Sequence, residues 1–282
     1  MMLIRMNNDK SENYKIFRRE PNPYNFNEFI DNFSILKLFV WRDLKVRYRH
    51  TFLGISWFVL QPLVMMLVIA FGFQFAFSRN SNELPFILYV ASGLVLWTHF
   101  ANGFAMGATS LESFKGIIQK ISFQRAYLPL VPIITAIVDM LCSSILLVVM
   151  LFIYKCVPSW RIIFIPLLIL WGTLFIYGLA LFFSAASVLY KDLKHLISFL
   201  IQILFFCSPV FLESSVIYLN FSILAYLNPL VGYLNIFRWL IFEEYPQPKA
   251  LEWILFLIIA PLLFLFGYRY FEAKQGIITD TL

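Results

Sequence analysis

One carboxylate stands alone in a long apolar run. Asp139 interrupts residues 126–154, which otherwise contain no Asp, Glu, Lys or Arg. A carboxylate in such a place is costly unless it faces a bundle interior or water, so a functional role is the default hypothesis, with a helix-to-helix hydrogen bond as its structural counterpart. Asp192 and His195 stand three residues apart and could meet on a helix as an acid–base pair, a spacing that also arises often by chance. Five cations, Lys37, Arg42, Lys45, Arg47 and Arg49, precede the first long apolar run. Arginine binds phosphate oxygens through two parallel N–H groups and lysine acts as a point charge, so such a cluster suits an anionic head group. At about 100° per residue, Arg42, Lys45 and Arg49 fall within roughly 60° of one another and Arg47 points elsewhere. Other chemistry is missing: none of the eleven glycines opens a G-x-x-x-x-G-K-[ST] phosphate loop, and there is no H-E-x-x-H, G-x-S-x-G or Cys/His cluster. No catalytic residue, cofactor or metal site is assigned, and nucleotide hydrolysis, if it drives this protein, must come from another chain.

These residues have to be held by an unusual chain. Of its 282 residues 61% are apolar and 13% charged, against roughly 45–50% and 25% in soluble domains. A soluble fold has too little interior to hide that surface. The chain therefore reads as an all-α, multi-pass membrane protein, because lipid satisfies no backbone polar group. Cys142, Cys156 and Cys207 read as small packing residues with no disulfide framework.

Six stretches almost free of charge can each supply the roughly 17–25 residues of a transmembrane helix: 50–78, 84–111, 126–154, 162–190, 195–212 and 251–268. Residues 214–237 are also uncharged but carry Asn220, Asn228, Pro229, Gly232 and Asn235. Asn228-Pro229 splits them into pieces too short to span. They read as two re-entrant helices between spans five and six, with an ordinary seventh span as the other possibility. With six spans, seventeen of the Lys and Arg residues fall on one side and five on the other. That asymmetry places both termini in the cytoplasm and accounts for most of the net charge of +6, so nucleic acid is not an expected partner. Residues 1–26 are polar, read as a flexible cytoplasmic lead, and show no secretory signal.

Two further segments are amphipathic. In residues 27–50, Phe29, Phe33, Leu36, Val40 and Leu44 recur every three or four positions, as in a helix lying in the membrane interface; a generic basic flank to the first span fits the same residues. In the second loop, Leu111, Phe114, Ile118 and Ile121 share that spacing, with Lys120 among the polar positions. This reads either as a docking helix for a partner or as an ordinary surface helix. Phe71 and Phe75 share a helix face that could stack on sugar rings or simply pack, and His99 reads as a packing residue.

Several stretches resemble the permease subunits of ABC exporters that move bacterial surface polysaccharides, above all the O-antigen branch. They are 42–54 (RDLKVRYRHTFLG) with Trp57 and Gln61-Pro62; Gly93-Leu94, Trp97 and Phe100 with Ser110-Leu111; 117–125 (IIQKISFQR) with Leu128-Pro129-Leu130; Lys191-Asp192-Leu193 with Gln202 and 205–209 (FFCSP); and Asn228-Pro229 with Arg238 ten residues after the Asn. Gln124, where the family usually has Pro, and Lys191, where it has Arg, depart from the pattern. The resemblance implies a six-helix transmembrane domain over 51–270 with a cytoplasmic tail at 271–282, in the bacterial inner membrane. It implies two copies forming a channel, with a separate ABC ATPase subunit that binds ATP and Mg. It further implies a coupling helix carrying Phe114, Ile118, Lys120 and Ile121, and gate helices carrying Asn228, Pro229 and Arg238. A polyprenyl-diphosphate-linked polysaccharide would be the substrate, with Arg42 and Arg49 at its head group and Phe71, Phe75 and Trp97 as channel aromatics. Teichoic-acid or capsule export by the same kind of permease, a membrane enzyme acting on a lipid-linked substrate, and a secondary transporter are the competing readings.

Overall fold

A computed structural model describes residues 26–49, 56–73, 84–119, 123–210, 212, 214, 217 and 228–281. Among the described residues the structure is mostly helical, with short turns and loops between the helices and an isolated antiparallel bridge between Pro158 and Phe242. Helix α1 covers Phe26–Arg49, α2 Ser56–Phe73 and α3 Phe86–Ala108. Two single turns follow, α4 at Ser110–Ser113 and α5 at Lys115–Ile118. Then come α6 at Tyr127–Ile153, α7 at Ile165–Leu189 (entered through a 3-10 turn, Trp160–Phe164), α8 at Leu193–Cys207, α9 at Pro229–Ile241 and α10 at Ala250–Thr281. Of the expected lead at 1–26, residues 1–25 lie outside the described residues and Phe26 begins α1; most of the expected first re-entrant piece also lies outside them.

Among the described residues, four helices are long and apolar enough to cross a membrane: Phe86–Ala108, Tyr127–Ile153, Trp160–Leu189 and Ala250–Ile278. The other two expected spans are shorter where described. α2 has 18 residues and α8 has 15, so α8 rises about 22 Å at 1.5 Å per residue, less than a hydrocarbon core of roughly 30 Å. Pro62, Pro132 and Pro261 sit inside α2, α6 and α10. Each removes one backbone donor, which neighbouring helices make tolerable in membrane spans.

The packing follows from small residues. α3 lies against α6 and α7, and α7 lies against α10. The last pair approaches closely because Gly178 and Gly267 face each other's helix: a Cβ on Gly178 would stand 2.5 Å from the Phe264 backbone nitrogen. Two apolar clusters result. The larger joins α3, α6, α7, α9 and α10 around Phe100, Phe104, Ile176 and Tyr233. The smaller gathers Leu36 and Phe39 of α1, the second loop, and Leu181, Ala185 and Phe271 at the loop end of α7 and α10.

Helix α1 adds a feature that amphipathicity alone does not give. Phe39 touches Phe123, Asp43 meets Thr135 and Arg47 meets Asp139. Both numbers rise together, so α1 runs alongside the first half of α6 in the same direction.

Candidate functional site

Asp139 has a cationic partner, supplied by α1, which precedes the expected spans. Its side chain is fully buried, and its Oδ2 accepts from Arg47 Nη1 at 3.1 Å and from Asn102 Nδ2 at 3.1 Å. Arg47 Nη2 holds Asp43 Oδ2 at 2.9 Å, one turn back on α1, and Thr135 Oγ1 donates to that same oxygen at 3.0 Å. Helices α1, α3 and α6 thus share one polar knot in otherwise apolar surroundings. The signal was present in the sequence. At about 100° per residue, Asp43 and Arg47 lie on the same side of α1 as Leu36, Phe39 and Val40, so they interrupt the face that packs inward. Arg47 pointing away from Arg42 and Lys45 is the same fact seen from the other side. Asp139 Oδ1 has no partner among the described residues.

The second loop is two separate turns, where one continuous amphipathic helix was expected. Its apolar residues face inward. Phe114 is 4% exposed and Ile118 9%, both within the chain's own cluster, and the Phe39 ring lies 5.8 Å from that of Phe114. The guanidinium of Arg42 sits 4.9 Å from the centre of the Phe114 ring. Phe114 and Ile118 thus turn into the chain's own cluster, and Ser113, Lys115, Gly116 and Gln119 form the exposed side. The loop is tied to the start of α8 by an ion pair between Glu112 and Lys194. Lys120 and Ile121 lie outside the described residues.

Asn228, Pro229 and Arg238 are brought together on α9, where they fasten it. The Asn228 side chain caps the helix by accepting from Leu230 N at 3.1 Å, and its amide donates to Ser208 Oγ at 2.9 Å and to the Cys207 carbonyl at 3.2 Å. Pro229 takes the first helical position, where a missing N–H costs nothing. Arg238 is fully buried. Its Nε donates to Ser92 Oγ at 3.2 Å and its Nη2 to the carbonyls of Tyr89 and Val210 at 3.1 and 3.2 Å, with its guanidinium 3.5 Å from the Tyr89 ring centre. Gly93 leaves room for this, since a Cβ there would meet Arg238 Nη2 at 2.8 Å. A second knot escaped the sequence reading: Asn235 donates to Glu252 Oε2 at 2.9 Å and accepts from Ser214 and Tyr245 at 2.7 and 3.1 Å. Glu252, in the first turn of α10, is 6% exposed.

The aromatic candidates separate. Trp97 packs between Phe100 and Phe205, at 5.4 and 5.1 Å between ring centres, as part of the core. Phe71 is 70% exposed on α2, and Phe75 lies outside the described residues, as does the Arg49 side chain. A cavity of about 370 Å³ between α7, α9 and α10 is lined by Phe164, Trp171, Trp239, Trp253, Phe256 and aliphatic neighbours. His99 is buried with Tyr233 and Thr173 as a packing residue. Asp192 and His195 are both exposed at the loop end, and no hydrogen bond joins their side chains among the described contacts.

The family described as ABC-2 type transporter matches residues 35–242. The chain is 28% identical over 244 residues to an O-antigen export system permease protein RfbA of Myxococcus xanthus, covering 86% of this chain and 93% of that one. It is 30% identical over 202 residues to an RfbA protein of Klebsiella pneumoniae, covering 71% and 77%. It is 22% identical over 212 residues to the polysialic acid transport protein KpsM of Escherichia coli, covering 72% and 80%.

Proposed function

This chain belongs to the ABC-2 type transporter family, and we propose that it is the membrane permease of an ATP-driven exporter carrying a lipid-linked polysaccharide of O-antigen type. The observation that carries the reading is the match to two O-antigen export permeases over most of each chain. The match to a polysialic acid transport protein, at lower identity, keeps capsule export as a second reading. ATP and Mg are bound by a separate ATPase chain, since this one has no phosphate loop.

In this reading six spans cross the bacterial inner membrane with both termini in the cytoplasm, α2 and α8 completing the four long helices. The 17-to-5 split of Lys and Arg supports that orientation. Two copies form the channel. The ATPase contacts the exposed side of α4 and α5, around Lys115, Gly116 and Gln119, while Phe114 and Ile118 brace those turns from within. Arg42 and Arg49 sit beside the diphosphate of a polyprenyl carrier as it leaves the inner leaflet, Arg42 steadied on Phe114. The gate is α9 with the segment before it; Asn228, Pro229 and Arg238 set its position, and the exposed Phe71, with Phe75, lines the path.

The test is reconstitution with the neighbouring ATPase chain in vesicles loaded with polyprenyl-diphosphate-linked glycan. ATP-dependent appearance of glycan on the far side supports the reading. Failure of the ATPase to co-purify, or transport without ATP, sinks it.

A further inference from the structure

Arg47 joins the two ends of a lever, and we propose that the Arg47–Asp139 pair is a positioning contact that makes α1 a strut, carrying displacement of the second loop into α6 and α3. The proposal rests on the transport reading, which puts the ATPase on that loop. At one end, α1 is gripped by aromatic packing: Phe39 against Phe114 and Phe123 at 5.8 and 5.3 Å, and Arg42 over Phe114. Eight residues later, about 12 Å along at 1.5 Å per residue, it is gripped again by charge. There Arg47 uses its two terminal nitrogens on two carboxylates, Asp43 of its own helix and Asp139 of α6.

Three details separate a strut from generic packing. First, the ion pair is directional. The side-chain hydrogen bonds of Asp139 fall on Oδ2, toward α1 and α3, while Oδ1 has no partner among the described residues. Second, Arg47 is itself held from behind by Asp43, which in turn is held by Thr135 of α6, so α1 cannot turn about its axis without breaking two contacts. Third, packing alone does not require such a pair, because well-fitted apolar residues of similar volume often stabilise as much. What the charges add is register between α1 and α6, in a place where solvent ions screen them little.

The experiment uses the full chain with its ATPase partner in vesicles, and reads glycan exported per ATP hydrolysed. Asp139→Asn and Arg47→Gln are each expected to keep hydrolysis within about twofold and to lower export per ATP at least tenfold. Arg47→Lys is expected to fall with them, because one ammonium cannot hold both carboxylates. A covalent link should replace the lost pair. In an Arg47→Gln chain with Cys142, Cys156 and Cys207 changed to Ser, the changes Asp43→Cys and Thr135→Cys put thiols on the two side chains that now meet through Asp43 Oδ2 and Thr135 Oγ1. Oxidation of that pair should restore export per ATP, and reduction should remove it again. A formed cross-link that leaves the ratio low overturns the strut, as does an unchanged ratio in the single variants. If Asp139→Asn fails to insert, the cross-linked Arg47→Gln chain alone decides. A wild-type chain that shows no ATP-dependent export overturns the transport reading, and the strut with it.

Discussion

Replacing Arg238 should expose how α9 is held. The guanidinium makes three hydrogen bonds, to Ser92 Oγ and to the carbonyls of Tyr89 and Val210, and lies against the Tyr89 ring. Charge-assisted bonds of this kind are worth about 1.5–3 kcal/mol each, but burying the ion cancels several kcal/mol of that sum. In Arg238→Met both the bonds and the buried charge disappear. What remains is the set of stranded acceptors. Ser92 Oγ already donates to the Tyr89 carbonyl at 2.8 Å, so those two satisfy each other and chiefly Val210 is orphaned, at about 1–3 kcal/mol. Losing the contact with the ring adds about 0.5–2 kcal/mol. Arg238→Met should therefore cost about 1.5–5 kcal/mol. Arg238→Lys should cost at least as much, because the charge stays buried and a single nitrogen cannot span the three acceptors. The assay is unfolding of the purified chain in detergent by SDS titration, followed by tryptophan fluorescence and helical circular dichroism. A lysine variant markedly more stable than the methionine variant would refute the reasoning, since charge and not the fork would then be what holds α9.

Phe114→Ala should lower stability by about 3–5 kcal/mol in the same titration, whereas Lys115→Glu should leave stability within about 0.5 kcal/mol and weaken co-purification with the ATPase. Equal stability of the two variants would contradict the inward orientation of Phe114. Gly178→Val should disrupt the contact of α7 with α10 and reduce the yield of folded chain, while Gly116→Ala, whose Cβ meets open space, should not; size-exclusion profiles compare them. Reporter fusions after Asp192 should read cytoplasmic and those at Ser159 and Gln247 external, and a cytoplasmic signal at Gln247 would favour seven spans over a re-entrant segment.

Much of this protein is legible from one dimension because the bilayer acts uniformly along the chain. Hydrocarbon demands about twenty apolar residues per crossing and internal pairing of every backbone group. The helices at Phe86–Ala108, Tyr127–Ile153, Trp160–Leu189 and Ala250–Ile278 accordingly overlap the almost uncharged runs, and the five ordered stretches from 42–54 to 228–238 were enough to mark the family. Pairings were not legible, because they depend on which helix turns which face to which neighbour. The spacing of Phe114 and Ile118 showed that they share a face, but not that Phe39 and Arg42 would cover it from a helix some seventy residues earlier. The cost of burying Asp139 could be read from its surroundings. Its relief by Arg47, ninety-two positions away, could not, because that requires α1 to run beside α6 with both residues at one height. Arg238 was likewise visible as a motif residue, while its three acceptors come from α3 and the turn after α8. Solvent preference is a property of each residue and its immediate neighbours and is written locally; partnership is a property of two surfaces, and only the folded chain brings them together.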